Sequence, residues 1–123
     1  MEEFRNMSAE RLHEPGMLYG QPFTGESVEL SAVNDHMGEV IVNGKISSIE
    51  CRELRGEFIL VTMSLTDNIG NDLPVRMIIY SKFEGEIKSR LLADTTVSVC
   101  GIAALDHFEN RITVSAVKGI KES

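Results

Sequence analysis

The sequence predicts an all-β fold with one short helix, and three observations carry that expectation. From residue 39 onward apolar and polar residues alternate at a spacing of two in five separate segments. One stretch, 82–92, changes to a spacing of four, and polar runs containing Gly, Asn or Asp separate the segments. A period of two sends successive side chains to opposite faces of a strand, whereas a period near four lines one face of a helix.

The first strand is expected near 39–49, with Val40, Val42 and Ile46 in one phase and Gly44 marking a bulge or sharp bend. The polar run Glu50–Glu57 with Gly56 reads as the turn. A second strand, about 57–66, turns Ile59, Val61, Met63 and Leu65 toward a core and Phe58, Leu60, Thr62 and Ser64 away from it. Residues 66–72 read as a hairpin connection from their Asn, Gly and Asp content. The third strand (73–80) directs Leu73, Val75, Met77 and Ile79 inward and Arg76, Ile78 and Tyr80 outward. In 82–92, Phe83, Ile87 and Leu91 form an apolar stripe, with Lys88 and Arg90 toward the end where the helix dipole favours cations. The fourth strand (95–103) alternates Val97 and Val99 against Ser98 and Cys100. The fifth (111–118) alternates Ile112, Val114 and Ala116 against Arg111, Thr113 and Ser115. Three strands, a helix and two strands is the order of an OB-fold, a five-stranded Greek-key barrel with its helix between strands three and four, here preceded by an irregular N-terminal segment.

The chain's 123 residues fit one domain, and 42% hydrophobic with 25% charged residues is the balance of a globular protein. Acids outnumber bases 19 to 12, a net charge of -7 that argues against affinity for nucleic acid built on overall positive charge. The acidity is concentrated at the front: residues 1–38 hold seven acids and two bases, residues 39–123 twelve acids and ten bases, so the expected barrel (39–121) is close to neutral. The leader, punctuated by Pro15-Gly16, Gly20, Pro22, Gly25 and Gly38, is expected to be a connector rather than an independently folding unit. Ser27–Leu30 suggests a short extended stretch within it and Ser8–Leu12 at most a helical turn. Apolar runs such as Phe58–Val61 are far shorter than a membrane span needs, and Met1–Arg5 has no signal-peptide pattern. Cys51 and Cys100 lie outside any C-x-x-C spacing and read as reduced thiols, which points to a cytoplasmic protein.

OB-folds commonly bind single strands or sugars on the face of strands two and three. The outward residues there are Phe58, Leu60, Thr62, Ser64, Arg76, Ile78 and Tyr80. Phe58 and Tyr80 suit base stacking, and Arg76 suits phosphate or cation-π contact. Ordinary strand packing, with Leu60 and Ile78 covered by the leader or another domain, is the competing reading. Lys45, Arg52 and Arg55, with Lys82 beyond the third strand, are further candidates for backbone contacts, although interleaved Glu50, Glu53 and Glu57 also suit a solvated mixed-charge loop. Catalytic patterns are weak: His13, His36 and His107 are scattered, no cluster has metal-ligand spacing, and no phosphate-binding glycine loop or nucleophile motif occurs. No cofactor is expected.

Several segments carry a family resemblance. Gly44-Lys45-Ile46, Ile49-Glu50-Cys51-Arg52-Glu53-Leu54, Leu65-Thr66-Asp67, Val75-Arg76-Met77, Val97–Gly101 and Asp106-His107-Phe108-Glu109 are similar to the OB domain of PolC-type DNA polymerase III alpha subunits. The likeness spans about 39–121, and Leu18–Pro22 resembles the connector that enters that domain. It departs at Asn68–Asn71, Leu105 and Glu57-Phe58, where the family commonly carries aromatic or basic groups. The resemblance implies a single-stranded DNA-binding module of a replicative polymerase, binding weakly, non-catalytic by itself and partnered by other polymerase domains or subunits. A protein-docking OB domain that never touches nucleic acid is the alternative.

Overall fold

Strand β2 (Glu39–Glu53) belongs to two ladders at once, and the rest of the architecture is arranged around it. Its first half pairs antiparallel with β5 (Thr96–Asp106) from Glu39↔Ile102 to Lys45↔Thr96, and its second half with β3 (Phe58–Thr66) from Lys45↔Thr66 to Glu53↔Ile59. Gly44 sits at the change-over. A Cβ there would lie 3.0 Å from the Leu65 Cβ and 3.1 Å from the Thr66 carbonyl oxygen, so a side chain would push the two strands apart at this point. The register then slips between Ile46 and Ser48, completing the bend.

The computed structural model describes residues 16–123. In it β3 pairs with β4 (Asp72–Tyr80), and β5 with β6 (Arg111–Glu122). A parallel bridge, Val75↔Val114, joins β4 to β6 and closes five strands into a mixed barrel with one short helix, α1 (Glu84–Arg90), between β4 and β5. This is an OB-fold. The inward residues of β3 and β4 expected from the alternation are all buried, and Val42, Ile46, Leu65, Val97, Val99 and Val114 are completely so. Helix α1 is preceded by a 3-10 turn, Ser81–Phe83, and carries two i,i+4 ion pairs at 2.9 Å, Lys88–Glu84 and Arg90–Glu86. It presents Ile87 to the core.

Five details differ from the expectations. The strand expected to end at 49 continues to Glu53, leaving only 54–57 as the turn, because past the register slip Ile49 and Cys51 take up the inward phase opposite Met63 and Val61. The hairpin of β5 and β6 is longer at both strand ends, reaching Asp106 and Glu122. Ser98, set against the inward Val97 and Val99, is buried as well: it borders a pocket walled by Phe23, Thr24, Gly25 and Ser27 of the leader, and its hydroxyl donates to Asn43 Oδ1. Ala116 is exposed: it takes a positive φ of 48° at a bulge that changes the phase of β6. Phe83 stays 42% exposed in the 3-10 turn while Ile87 and Leu91 enter the core.

Residues 17–33, assigned by composition to a connector, pack on the barrel. Strand β1 (Met17–Gly20) pairs antiparallel with β6, Val28 forms a bridge with Val42, and Phe23, Leu30 and Val33 are buried. The Lys121 ammonium donates to the Phe23 carbonyl at 3.0 Å and stands 4.6 Å from its ring centre. The helical turn expected at Ser8–Leu12 lies outside the described residues. Replacing Phe23 by Ala is expected to destabilise the protein by about 3 kcal/mol in urea unfolding, as for other buried aromatics. A loss below about 0.5 kcal/mol, the scale of surface changes, would show that this segment adds nothing to the barrel.

Candidate nucleic-acid interface

The register of β2, β3 and β4 decides which side chains share the outer face. Tyr80 stands opposite Phe58; Ile78, Leu60 and Arg52 form the next row, and Arg76, Thr62 and Glu50 the row after that. The β2–β3 loop adds Arg55. A hydrogen bond from Ser81 N–H to the Glu57 carbonyl (2.7 Å) ties that loop to the end of β4. Arg52, Arg55, Phe58, Tyr80 and Lys82 therefore gather at one end of the sheet. Lys45 does not join them: seven residues back along β2, roughly 20 Å at the rise of an extended strand, it faces Asp94 at 3.9 Å.

Phe58 and Tyr80 stack on each other, with ring centres 5.0 Å apart and planes 27° apart. Phe83 meets Tyr80 edge-on at 6.5 Å, and the Lys82 ammonium lies 5.2 Å from the Phe83 ring centre and 5.9 Å from that of Tyr80. All three rings remain about half exposed, so they form one continuous apolar platform rather than separate stacking sites. Beside it a groove of about 560 Å³ runs between β1 and α1, walled by Leu18, Tyr19, Ile78, Phe83 and Ile87.

Arg76 is where the structure departs most from a simple cationic groove. Its Nη1 contacts Asp106 Oδ2 at 2.5 Å, and its Nη2 donates to Glu109 Oε1 at 2.9 Å. Its Nε is buried without a hydrogen-bond partner among the described residues. A phosphate approaching this guanidinium has to displace or face two carboxylates. The two arginines without an ion pair among the described residues are Arg52 and Arg55.

The two carboxylates come from the end of β5 and the β5–β6 loop, and they bring that loop over the sheet. Glu50, Arg52, Leu60, Thr62, Arg76, Phe108 and Glu109 line a second cleft of about 560 Å³. Phe108, at the loop tip, is fully exposed. It was absent from the residues singled out on the strands because the period-two pattern says nothing about loops; the Asp106-x-Phe108-Glu109 segment was its only signal. Asp106 holds the loop by accepting the Phe108 N–H at 2.9 Å. That hydrogen bond, helped by the charge of Arg76 and opposed by partial desolvation, holds the Asp106 carboxyl below the usual carboxylate range.

Other reactive groups are placed quietly. Burial pushes the thiols of Cys51 and Cys100 up, keeping them protonated at neutral pH, and the two lie on different cross-strand pairs, Cys51 opposite Val61 and Cys100 opposite Ile41. His36 and His107 are exposed and His13 lies outside the described residues. Among the described residues no three His, Cys, Asp or Glu side chains are grouped as metal ligands, and no helix is long and apolar enough to cross a membrane.

No protein-family model and no curated protein sequence matches the chain. Solved structures do share its fold. A RecG structure bound to a three-way DNA junction superposes with a TM-score of 0.58 at 18% identity, over 76% of this chain and 12% of that one. A replication protein A heterotrimer bound to ssDNA gives 0.51 at 18% identity, over 71% of this chain and 58% of that one. The OB domain of Ta0387 from Thermoplasma acidophilum gives 0.58 at 15% identity, covering 80% and 88%. The chain thus spans a small part of the RecG protein and little more than half of the replication protein A chain.

The lowered Asp106 pKa fixes a sign. Ordering of the loop by the charged carboxylate is complete above the unfolded value of about 3.9 and is lost as pH falls through the lower folded value. An NMR titration of the Asp106 carboxyl carbon should have its midpoint below about 3.9, and Arg76→Ala should move it part of the way back. A midpoint at or above the ordinary value in the unsubstituted chain would contradict the hydrogen-bonded loop.

Proposed function

We propose that this chain is an OB-fold single-stranded DNA-binding module that lays a short stretch of strand across the outer face of β2, β3 and β4. The observation that carries the reading is convergence: Glu50 and Arg52 from β2, Arg76 from β4 and Phe108 and Glu109 from the β5–β6 loop border one cleft, and Asp106 at the end of β5 holds Arg76 beside it. Its position on the strand-two and strand-three face, between the β2–β3 and β5–β6 loops, is where OB-folds usually bind such ligands. Phe108 and the Phe58–Tyr80 platform supply π faces, while Arg52, Arg55 and Lys82 supply backbone contacts; Arg76 acts as a tether for the loop. DNA is also what two of the superposed structures hold.

The narrower assignment, a module of a PolC-type replicative polymerase, is supported by the motif segments quoted above. Three of them, Glu50-x-Arg52, Val75-Arg76-Met77 and Asp106-x-Phe108-Glu109, supply residues that border the cleft or hold its loop. Other domains or subunits of such an enzyme are the corresponding protein partners. A docking role is favoured by a different feature, the apolar groove at Leu18, Tyr19, Ile78, Phe83 and Ile87. Amide-shift mapping separates the readings. Oligonucleotide-induced shifts should centre on β2, β3, β4 and the β5–β6 loop, whereas a docking domain gives none with DNA.

Fluorescence anisotropy with a labelled mixed-sequence 12-mer at low salt tests DNA binding directly. Saturable binding is expected, weakened by about 1–3 kcal/mol in each of Phe108→Ala and Tyr80→Ala. With Arg52, Arg55 and Lys82 as the backbone contacts, at about 0.7 per single-strand phosphate contact, the slope of log K against log salt should be shallow, near −2. No saturable binding, or binding unchanged in the Phe108→Ala, Tyr80→Ala double variant, would overturn the assignment.

A further inference from the structure

The charge inside the cleft is unusual for a surface that holds DNA. Glu50 and Glu109 line it together with Arg52 and Arg76, and Arg76 is already shared between Glu109 and Asp106, which leaves Arg52 as the one lining guanidinium without a carboxylate partner among the described residues. With two lining carboxylates against one available guanidinium, such a cavity has little pull on phosphate. The backbone of a bound strand is therefore kept to the rim, near Arg52 and Arg55, and the cleft is left to a base. Its volume of about 560 Å³ is ample for one, and Leu60 offers an apolar floor beside the exposed Phe108 ring.

We infer that this cleft reads the base and prefers cytosine to thymine, with Glu50 and Glu109 as the specificity-determining residues. The inference rests on the single-stranded DNA reading above and names the ligand of the same site. The chemistry is that of the group at C4: cytosine carries an amino donor, thymine a carbonyl acceptor. An ionised carboxylate accepts only, so it bonds the cytosine N4 amino group and opposes the thymine O4. Glu50 is exposed on β2 with no ion pair among the described residues, and Glu109 uses Oε1 on Arg76, which leaves Oε2 to accept. A contact from Arg52 to O2 alone does not discriminate, because both pyrimidines present that acceptor; the difference lies at C4 and N3, so the preference rests on the carboxylates meeting the C4 group. The two bases are also alike in size, so stacking contributes little to the difference.

The experiment compares labelled dC12 and dT12 by anisotropy at pH 7.5 and low salt, using the full chain. We expect dC12 to bind about fivefold tighter than dT12, the low end of base-edge discrimination because the carboxylates are exposed. Glu50→Ala should reduce the ratio toward one. Glu109→Ala should do the same while tightening dT12, since it removes a repelling charge and loosens the hold on Arg76. If Glu109→Ala strengthens both oligomers equally and leaves the ratio unchanged, the residue acts only as a repelling charge, and the inference fails for it. A dC12 preference that survives both substitutions overturns the assignment of both residues. Equal saturable binding of dC12 and dT12 to the unsubstituted chain overturns the base preference and leaves the DNA-binding reading standing. Absence of saturable binding to both, and to the mixed-sequence 12-mer, removes that reading and this one together.

Discussion

The close approach of β2 to β3 at Gly44 is the constraint from which the other features follow. A strand that pairs with β5 in its first half and β3 in its second has to bend between them, and a glycine whose missing Cβ would stand 3.0 Å from the Leu65 Cβ permits it. With that bend in place, β4 and β6 come near enough for the Val75↔Val114 bridge, and the barrel has no unpaired edge along its core. The same bend sets the direction of the second half of β2. Glu50 and Arg52 therefore stand beside Thr62 and Leu60, and the β5–β6 loop reaches over them.

Closure of the barrel leaves the site electrostatically balanced rather than positive. The net charge of -7 is concentrated in the leader, and the barrel's own charges are nearly even. The structure shows how locally that evenness is enforced: the central guanidinium on the sheet face, Arg76, is matched by carboxylates on the loop opposite. A groove tuned for non-specific grip would leave such an arginine free, since phosphate neutralisation supplies most of that affinity. Here the pair spends the charge on fixing the loop, and Phe108 stands at the tip of what is fixed.

Much of the barrel was legible because burial and period coincide. On β3, Ile59, Val61, Met63 and Leu65 are inside since each second residue must be, and no other part of the chain alters that. The alternation misled where a second layer intervened: Ser98 alternates with the core residues Val97 and Val99, yet it is buried beside Phe23, Thr24, Gly25 and Ser27 of the leader. It misled again at Ala116, where a positive φ shifts the phase and nothing in the residue type announces it. For the site, Phe58 and Tyr80 were legible as outward aromatics of one sheet face, but not as neighbours that stack on each other. The pairing of Arg76 with Asp106 and Glu109 joins residues 30 and 33 positions apart, a separation no local pattern spans. Phe108 belongs to a loop, where periodicity carries no information.

The arrangement has an energetic consequence for how the proposed module would be used. Stacking on exposed rings is worth about 1–3 kcal/mol per base, and the Phe58–Tyr80 platform acts as one surface because the rings already contact each other. Phe108 adds a second. Against this stands the cost of association, at least about 4 kcal/mol before any side chain is ordered. Two platforms and a few rim cations leave little surplus, so the balance favours weak binding whose usefulness depends on local concentration. A tether to a larger assembly raises that concentration to the millimolar range without a new contact. Weak grip combined with a base-reading cleft then yields a module that samples a passing strand and dwells where the base suits it, which a strongly cationic groove, holding every phosphate alike, would not do.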